Sequence, residues 1–121
     1  MTKKYDLEDR LIDLTIKISE IVELLPNTKL ANQIGGQLTR SSSSPALNYG
    51  EAQAAESTND FIHKLKIILK ELRESLVCLK IIIKKPLINP MSLAELSLKE
   101  TNELISIFVA SVKTAQKNKK K

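Results

Sequence analysis

Apolar residues recur every three or four positions over four long segments of this chain, and this spacing constrains its fold more than any other feature. Side chains three and four residues apart lie on the same side of an α-helix, so each segment predicts an amphipathic helix. The predicted helices span residues 6–25, 29–56, 58–84 and 92–116, and the breaks between them are short. No alternation of the kind that indicates a β-strand competes with them.

Four helices with short connections predict an all-α fold, an antiparallel up-down-up-down four-helix bundle. A chain of 121 residues is of the size of one domain, and we assign residues 1–112 to the bundle. The last nine residues contain five lysines and no acid, whereas the residues before them carry equal numbers of acidic and basic side chains. We expect residues 117–121 to form a disordered basic tail.

The second segment contains a polar interruption, Ser41-Ser42-Ser43-Ser44-Pro45, which on its own is typical of a loop. The residues on both sides nevertheless keep one helical face through it, and the side chains of that face are small. We therefore predict one long helix bent near Pro45, whose ring removes a backbone donor, with close approach of a neighbouring helix. A true break at residues 41–45 is the alternative.

A four-helix bundle needs one apolar stripe on each helix, and this sequence has more apolar residues than that. If exposed, such groups form patches larger than a soluble monomer usually tolerates, so we expect a closed homo-oligomer. Slightly rotated helices that bury some of them internally are the alternative. The additional residues are Ile12, Ile16, Ile67, Val77, Ile81, Ile82, Leu98, Ile105 and Val109.

The sequence contains no recognisable catalytic or metal-binding motif. The single histidine, His63, has no cysteine or carboxylate partner at metal-ligand spacing, and the single cysteine, Cys78, lies in an apolar stretch typical of buried cysteine. Glu71 and Glu74 lack the E-x-x-H partner of di-iron bundles, and no phosphate-binding glycine loop is present. We therefore predict that the protein is not an enzyme, with no catalytic residue, metal, cofactor or small-molecule substrate.

Five basic side chains of the third segment share one side of the predicted helix, and we call them the basic ridge: Lys66, Lys70, Arg73, Lys80 and Lys84. Such a row is most often an ordinary solvated surface. The functional alternative is contact with the phosphate backbone of RNA or DNA, reinforced by Lys113 and Lys117 near the C-terminus. Aromatic residues make up only 3% of the chain, so base stacking and base-specific recognition are disfavoured.

The sequence also favours a cytoplasmic protein. A single cysteine excludes an intramolecular disulfide framework and fits a reducing compartment. The basic residues at the N-terminus are not followed by the apolar stretch of a secretory signal, and no apolar run approaches the length of a transmembrane helix. We accordingly expect no contact with a membrane.

Short motifs in the second and third segments follow a recognisable order: Gln33-Ile34, Gln37-Leu38-Thr39-Arg40 with the serine run, Asn48-Tyr49-Gly50-Glu51-Ala52, Asp60-Phe61 and Glu71-Leu72. This order resembles the bacterial four-helix bundle family encoded in intervening sequences of 23S ribosomal RNA genes. The likeness covers about Tyr5 to Val112 and is specific from Gln33 to Leu79. Tyr49 stands where that family usually has isoleucine.

The resemblance implies an up-down bundle that is often a homopentamer with a central channel. A related bundle, the accessory protein of diversity-generating retroelements, binds nucleic acid. The motif residues Gln33, Arg40, Asn48 and Glu51 would then serve packing, and the resemblance implies that Asn48 and Glu51 are buried contacts between the second and third helices, or else subunit contacts. We expect a non-catalytic oligomeric bundle that engages RNA or a nucleoprotein without sequence specificity. The alternative is a protein-interaction scaffold that binds no nucleic acid.

Overall fold

The computed structural model describes residues 6–119 and contains four α-helices within them. These are α1 (Leu7–Leu24), α2 (Lys29–Gln53), α3 (Thr58–Lys84) and α4 (Ser92–Lys119). No strand occurs in this range. The all-helical prediction is confirmed, and the architecture is consistent with a four-helix bundle.

Capping side chains set the beginnings of the first three helices. Asp6, Thr28 and Ser57 are extended residues whose side-chain oxygens each accept a hydrogen bond from a backbone N–H of the first helical turn. The first turn of a helix leaves such N–H groups without a partner inside the helix, so each cap stabilises the start at that residue. The second and third helices begin at the predicted residues, 29 and 58, and the first begins one residue later than predicted, at Leu7.

The C-terminal ends of two helices differ from the prediction. α2 ends at Gln53, before the predicted residue 56, and α4 continues to Lys119, past the predicted residue 116. Residues 117–119 of the expected disordered tail are therefore helical, and residues 120–121 lie outside the described part of the chain. Lysines in the last turn of α4 favour this extension because they complement the negative end of the helix dipole.

One hydrophobic core joins all four helices. α3 packs against both α2 and α4, and α1 also packs against both of them. The largest side chains that are fully buried come from every helix: Leu11, Leu14, Ile18, Ile21, Leu38, Leu65, Ile68, Leu72, Leu79, Ile82, Leu104 and Phe108. No helix in the described range is long and apolar enough to cross a membrane.

α2 runs without interruption through the serine segment, with Pro45 inside it, so the prediction of one long helix is confirmed. The hydroxyls of Ser41 and Ser75 lie 2.8 Å apart, and both side chains are fully buried between α2 and α3. On the other flank, the hydroxyl of Thr15 in α1 donates a hydrogen bond of 2.8 Å to the carbonyl of Ser42. Small hydroxyl side chains thus let two helices approach α2 while their polar atoms remain hydrogen-bonded.

Three of the nine additional apolar residues are exposed, namely Ile12, Ile16 and Val77. The expectation was wrong for Ile82, which is fully buried, because α3 lies between two neighbours and buries more of its circumference than one stripe. The remaining five are partly buried, and four of them pack against the core: Ile81, Leu98, Ile105 and Val109. The fifth is Ile67. The prediction of a homo-oligomer stays a prediction.

The three glycines of α2 together test how closely this helix packs against α1. Gly36 and Gly50 have open space where a Cβ would stand, so Gly36→Ala and Gly50→Ala should each raise the free energy of unfolding by about 0.5–1 kcal/mol through helix propensity. Chemical denaturation followed by circular dichroism measures this change.

Gly35→Ala is the matched control for that measurement. A Cβ at residue 35 would lie 3.2 Å from Cδ1 of Leu25 and 3.5 Å from Cγ1 of Val22, where α1 comes close to α2. The crowding should cancel part of the propensity gain. An equal gain at all three positions would contradict this close packing of the two helices.

Candidate nucleic-acid interface

The basic ridge occupies the outward side of α3. All five of its side chains are exposed, and Val77 fills the one gap in their three- and four-residue spacing. At 1.5 Å per residue, the distance along the helix from Lys66 to Lys84 is about 27 Å. The positive charges therefore form an extended row rather than a point cluster.

The ridge cations form no ion pair with another residue of the described range. By contrast, three other basic residues are paired with carboxylates: Arg10, Arg40 and Lys64. A cation already paired with a carboxylate must give up that contact to bind an external anion, whereas the ridge cations need not. The ridge is thus the row of charges best placed to bind phosphate.

Lys113 and Lys117 lie one turn apart on α4, and both are exposed. They belong to a different helix from the ridge and form no ion pair within residues 6–119. They therefore add positive charge to a second helix instead of lengthening the row on α3.

Arg40 connects α2 to α3. Its guanidinium donates hydrogen bonds to the carboxylates of Glu71, at 3.0 Å, and of Glu74. The side chain of Glu71 is only 9% exposed, whereas that of Arg40 is 56% exposed. Arg40 consequently keeps a nearly buried carboxylate hydrogen-bonded at the boundary of the core.

The other three motif residues, Gln33, Asn48 and Glu51, differ in burial and in hydrogen-bond partners. Glu51 accepts a hydrogen bond of 2.7 Å from Nζ of Lys64 in α3, and this bond raises the pKa of Lys64. The side chain of Glu51 is 61% exposed, so it is not a buried contact between α2 and α3, and its alternative role as a subunit contact stays a prediction. The amide of Asn48, which is partly buried, donates to the carbonyl and hydroxyl of Ser44 within α2, and Gln33 is exposed.

A second arginine cluster, between α1 and α4, was not expected from the sequence. The buried guanidinium of Arg10 donates to both carboxylate oxygens of Glu100, at 2.9 and 2.7 Å, and lies 3.0 Å from Glu103. The hydrogen bond to Glu100 is the main reason that the pKa of Arg10 is raised. Arg10 stands in an acidic stretch beside the apolar stripe of its helix, but nothing in the sequence indicates partners 90 residues away.

His63 and Cys78 lie on the same helix, about 22 Å apart along its axis, so the structure does not bring them together. His63 is exposed, and no cluster of three or more potential metal ligands occurs among the described residues. Cys78 is buried, and desolvation, with a smaller effect of the Glu74 carboxylate, raises the pKa of its thiol. A raised pKa lowers the fraction of thiolate, the nucleophilic form.

The chain is similar to a known protein family and to a known crystal structure. The sequence model of the 23S rRNA-intervening sequence protein family matches residues 3–111. A crystal structure from Bacteroides thetaiotaomicron, of a protein of unknown function from the S23 ribosomal protein family, is similar with a TM-score of 0.80 and 27% sequence identity. That similarity covers 89% of this chain and 99% of the other. No curated protein matches the chain.

Removal of Arg40 should expose how much of the α2–α3 contact depends on it. Arg40→Met leaves the nearly buried Glu71 without its cationic partner, so we expect the free energy of unfolding to fall by about 1–3 kcal/mol. Denaturant titration measures the loss. The double variant with Glu71→Met should recover much of it, because no buried charge then remains unpaired.

Glu51→Met is the control, since the partner that it leaves unpaired, Lys64, is 22% exposed, whereas Glu71 is 9% exposed. We expect a loss of about 0–1 kcal/mol at this position. A loss at residue 51 as large as that at residue 40 would contradict the distinction between the two ion pairs.

Proposed function

The chain belongs to the 23S rRNA-intervening sequence protein family, and from this membership we propose that it is a non-catalytic, oligomeric helical bundle that binds the phosphate backbone of RNA. The observation that carries the proposal is the row of exposed cations along α3 that are unpaired within residues 6–119. Binding to the backbone alone gives no sequence specificity. The proposed location is the bacterial cytoplasm, where RNA is present and a lone cysteine stays reduced.

The bundle that carries the ridge is proposed to be antiparallel, with up-down-up-down connections. The order of the ion pairs between α2 and α3 supports this arrangement. Arg40 pairs with Glu71, whereas Glu51, further along α2, pairs with Lys64, which comes earlier in α3. Pairing in reversed order is what two antiparallel helices produce.

The chemistry of the ridge favours phosphate over bases. Four of its five residues are lysines, whose ammonium groups act as point charges and attract phosphate without the bidentate geometry of arginine. Binding of each phosphate releases condensed counterions, so the affinity should depend steeply on salt. In an oligomer the same row is repeated on every subunit. Once a long RNA has bound one row, its effective concentration at the neighbouring rows is high, so contact with several rows increases the overall affinity.

A scaffold for protein contacts is the second candidate function. The exposed isoleucines of α1 and the exposed Val77 of α3 favour it, because large aliphatic side chains at a surface gain free energy when another protein covers them. In that case the lysines would serve solubility. Binding measurements with RNA separate the two functions.

Charge reversal in the first half of the ridge tests RNA binding. Wild-type affinity for a double-stranded RNA should fall by about 40- to 500-fold between about 50 and 200 mM salt, as expected for about three to five phosphate contacts. The triple variant Lys66→Glu, Lys70→Glu and Arg73→Glu should bind about 100-fold more weakly than wild type at low salt, with a smaller salt dependence. Fluorescence anisotropy with a labelled RNA measures both.

The control reverses three exposed lysines on other helices, with the same change in net charge: Lys17→Glu, Lys29→Glu and Lys99→Glu. This variant should retain most of the affinity. Equal weakening by the two triple variants, or wild-type binding that does not respond to salt, would contradict a specific role of the ridge.

A further inference from the structure

α1 presents an outward surface that is both acidic and apolar. Ile12 and Ile16 are 41% and 55% exposed, although Leu11, Leu14, Ile18 and Ile21 of the same helix are at most 1% exposed. Three exposed carboxylates flank them at helical spacing: Asp9, Glu20 and Glu23. We call these five residues the acidic face.

A second surface, between α2 and α3, has the opposite charge. It is an open groove of about 660 Å³ lined by Leu30, Val77, Ile81, Lys80, Lys84 and Lys85. Its aliphatic part is accessible, since Leu30 is 37% and Val77 is 55% exposed. All three of its lysines are exposed. We call these six residues the basic groove.

We propose that the acidic face of one copy of this chain docks into the basic groove of the next copy. The two surfaces are complementary in their aliphatic side chains and in their charge. Each offers aliphatic side chains that gain free energy on leaving water, and each surrounds them with charges that attract the other surface.

Like-charge repulsion rules out the two symmetric pairings. An acidic face against a second acidic face would bring the carboxylates of residues 9, 20 and 23 together, and two basic grooves would bring six lysines together. Juxtaposed like charges of this kind oppose association. Docking of unlike surfaces avoids both costs, and such a head-to-tail contact builds a closed ring or a filament instead of a two-fold dimer.

The contact uses only part of the ridge. Lys80 and Lys84 belong to both surfaces, whereas Lys66, Lys70 and Arg73 lie earlier on α3, outside the groove. Those three remain accessible in the assembly. The contact rests on the oligomeric state proposed above and says which surfaces form it. Self-association and RNA binding remain separable, because they use different parts of the ridge.

Two complementary variants test the head-to-tail contact. The face variant carries Ile12→Ser and Ile16→Ser, and the groove variant carries Leu30→Ser and Val77→Ser. All four side chains are exposed, so both variants should keep the wild-type circular dichroism spectrum. Wild type should be oligomeric in sedimentation velocity at about 50 μM, and each variant alone should be monomeric, with a dissociation constant about 100-fold higher.

An equimolar mixture of the two variants is the decisive measurement. Each variant retains one intact surface, so the intact face of one should dock into the intact groove of the other and give a dimer that contains one copy of each. A mixture that stays monomeric would overturn the proposal, because a contact between identical surfaces cannot be restored in this way. A monomeric wild type, or an unchanged oligomer of either variant, would also overturn it.

Two further variants complete the experiment. Leu47→Ser with Leu96→Ser removes the two most exposed leucines, at 69% and 65%, which lie outside both surfaces, and should leave the oligomer intact. The ridge variant at residues 66, 70 and 73 should also remain oligomeric. If the ridge variant loses RNA binding but stays oligomeric, the two properties are separate, and a failure of the head-to-tail contact can be told apart from a failure of RNA binding.

Discussion

α3 is buried against α2 on one flank and against α4 on the other, and the proposed RNA-binding surface depends on this double contact. Burial on two flanks leaves α3 a narrow outward strip, and from residue 66 to residue 84 every exposed residue of that strip except Val77 is basic. The same packing explains why Ile82, outside the main stripe of the helix, is fully buried. A helix that packed against one neighbour would expose such residues and would present no continuous row of charge.

Small and polar side chains let α2 and α3 approach closely beside their share of the hydrophobic core. Ser41 and Ser75 share a buried hydrogen bond, and Arg40 reaches across the outer edge to Glu71 and Glu74. Polar atoms inside a helix interface stabilise it only when they are hydrogen-bonded, and no buried side-chain polar atom of the described residues lacks a partner. The serine run is therefore an element of packing.

Electrostatics divides the basic residues into two groups with different consequences. Arg10, Arg40 and Lys64 bind carboxylates of neighbouring helices and connect the bundle. The ridge cations form no such ion pairs within residues 6–119 and are open to an external partner. The acidic excess of α1 and the basic excess of α3 thus lie on two outward surfaces of one molecule, which is the charge distribution that a head-to-tail contact requires.

The sequence by itself determined the four helices, the starts of the second and third, the continuity of α2 through Pro45 and the outward basic ridge. These properties depend on residues within a few positions of one another, and the helical repeat translates that spacing directly into geometry. Only the tertiary structure decided that Ile82 is buried, that Glu51 is exposed and that Arg10 pairs with Glu100. Each of these depends on which helix lies beside which and at what distance, and residues far apart in the chain set that arrangement through packing that no local pattern encodes.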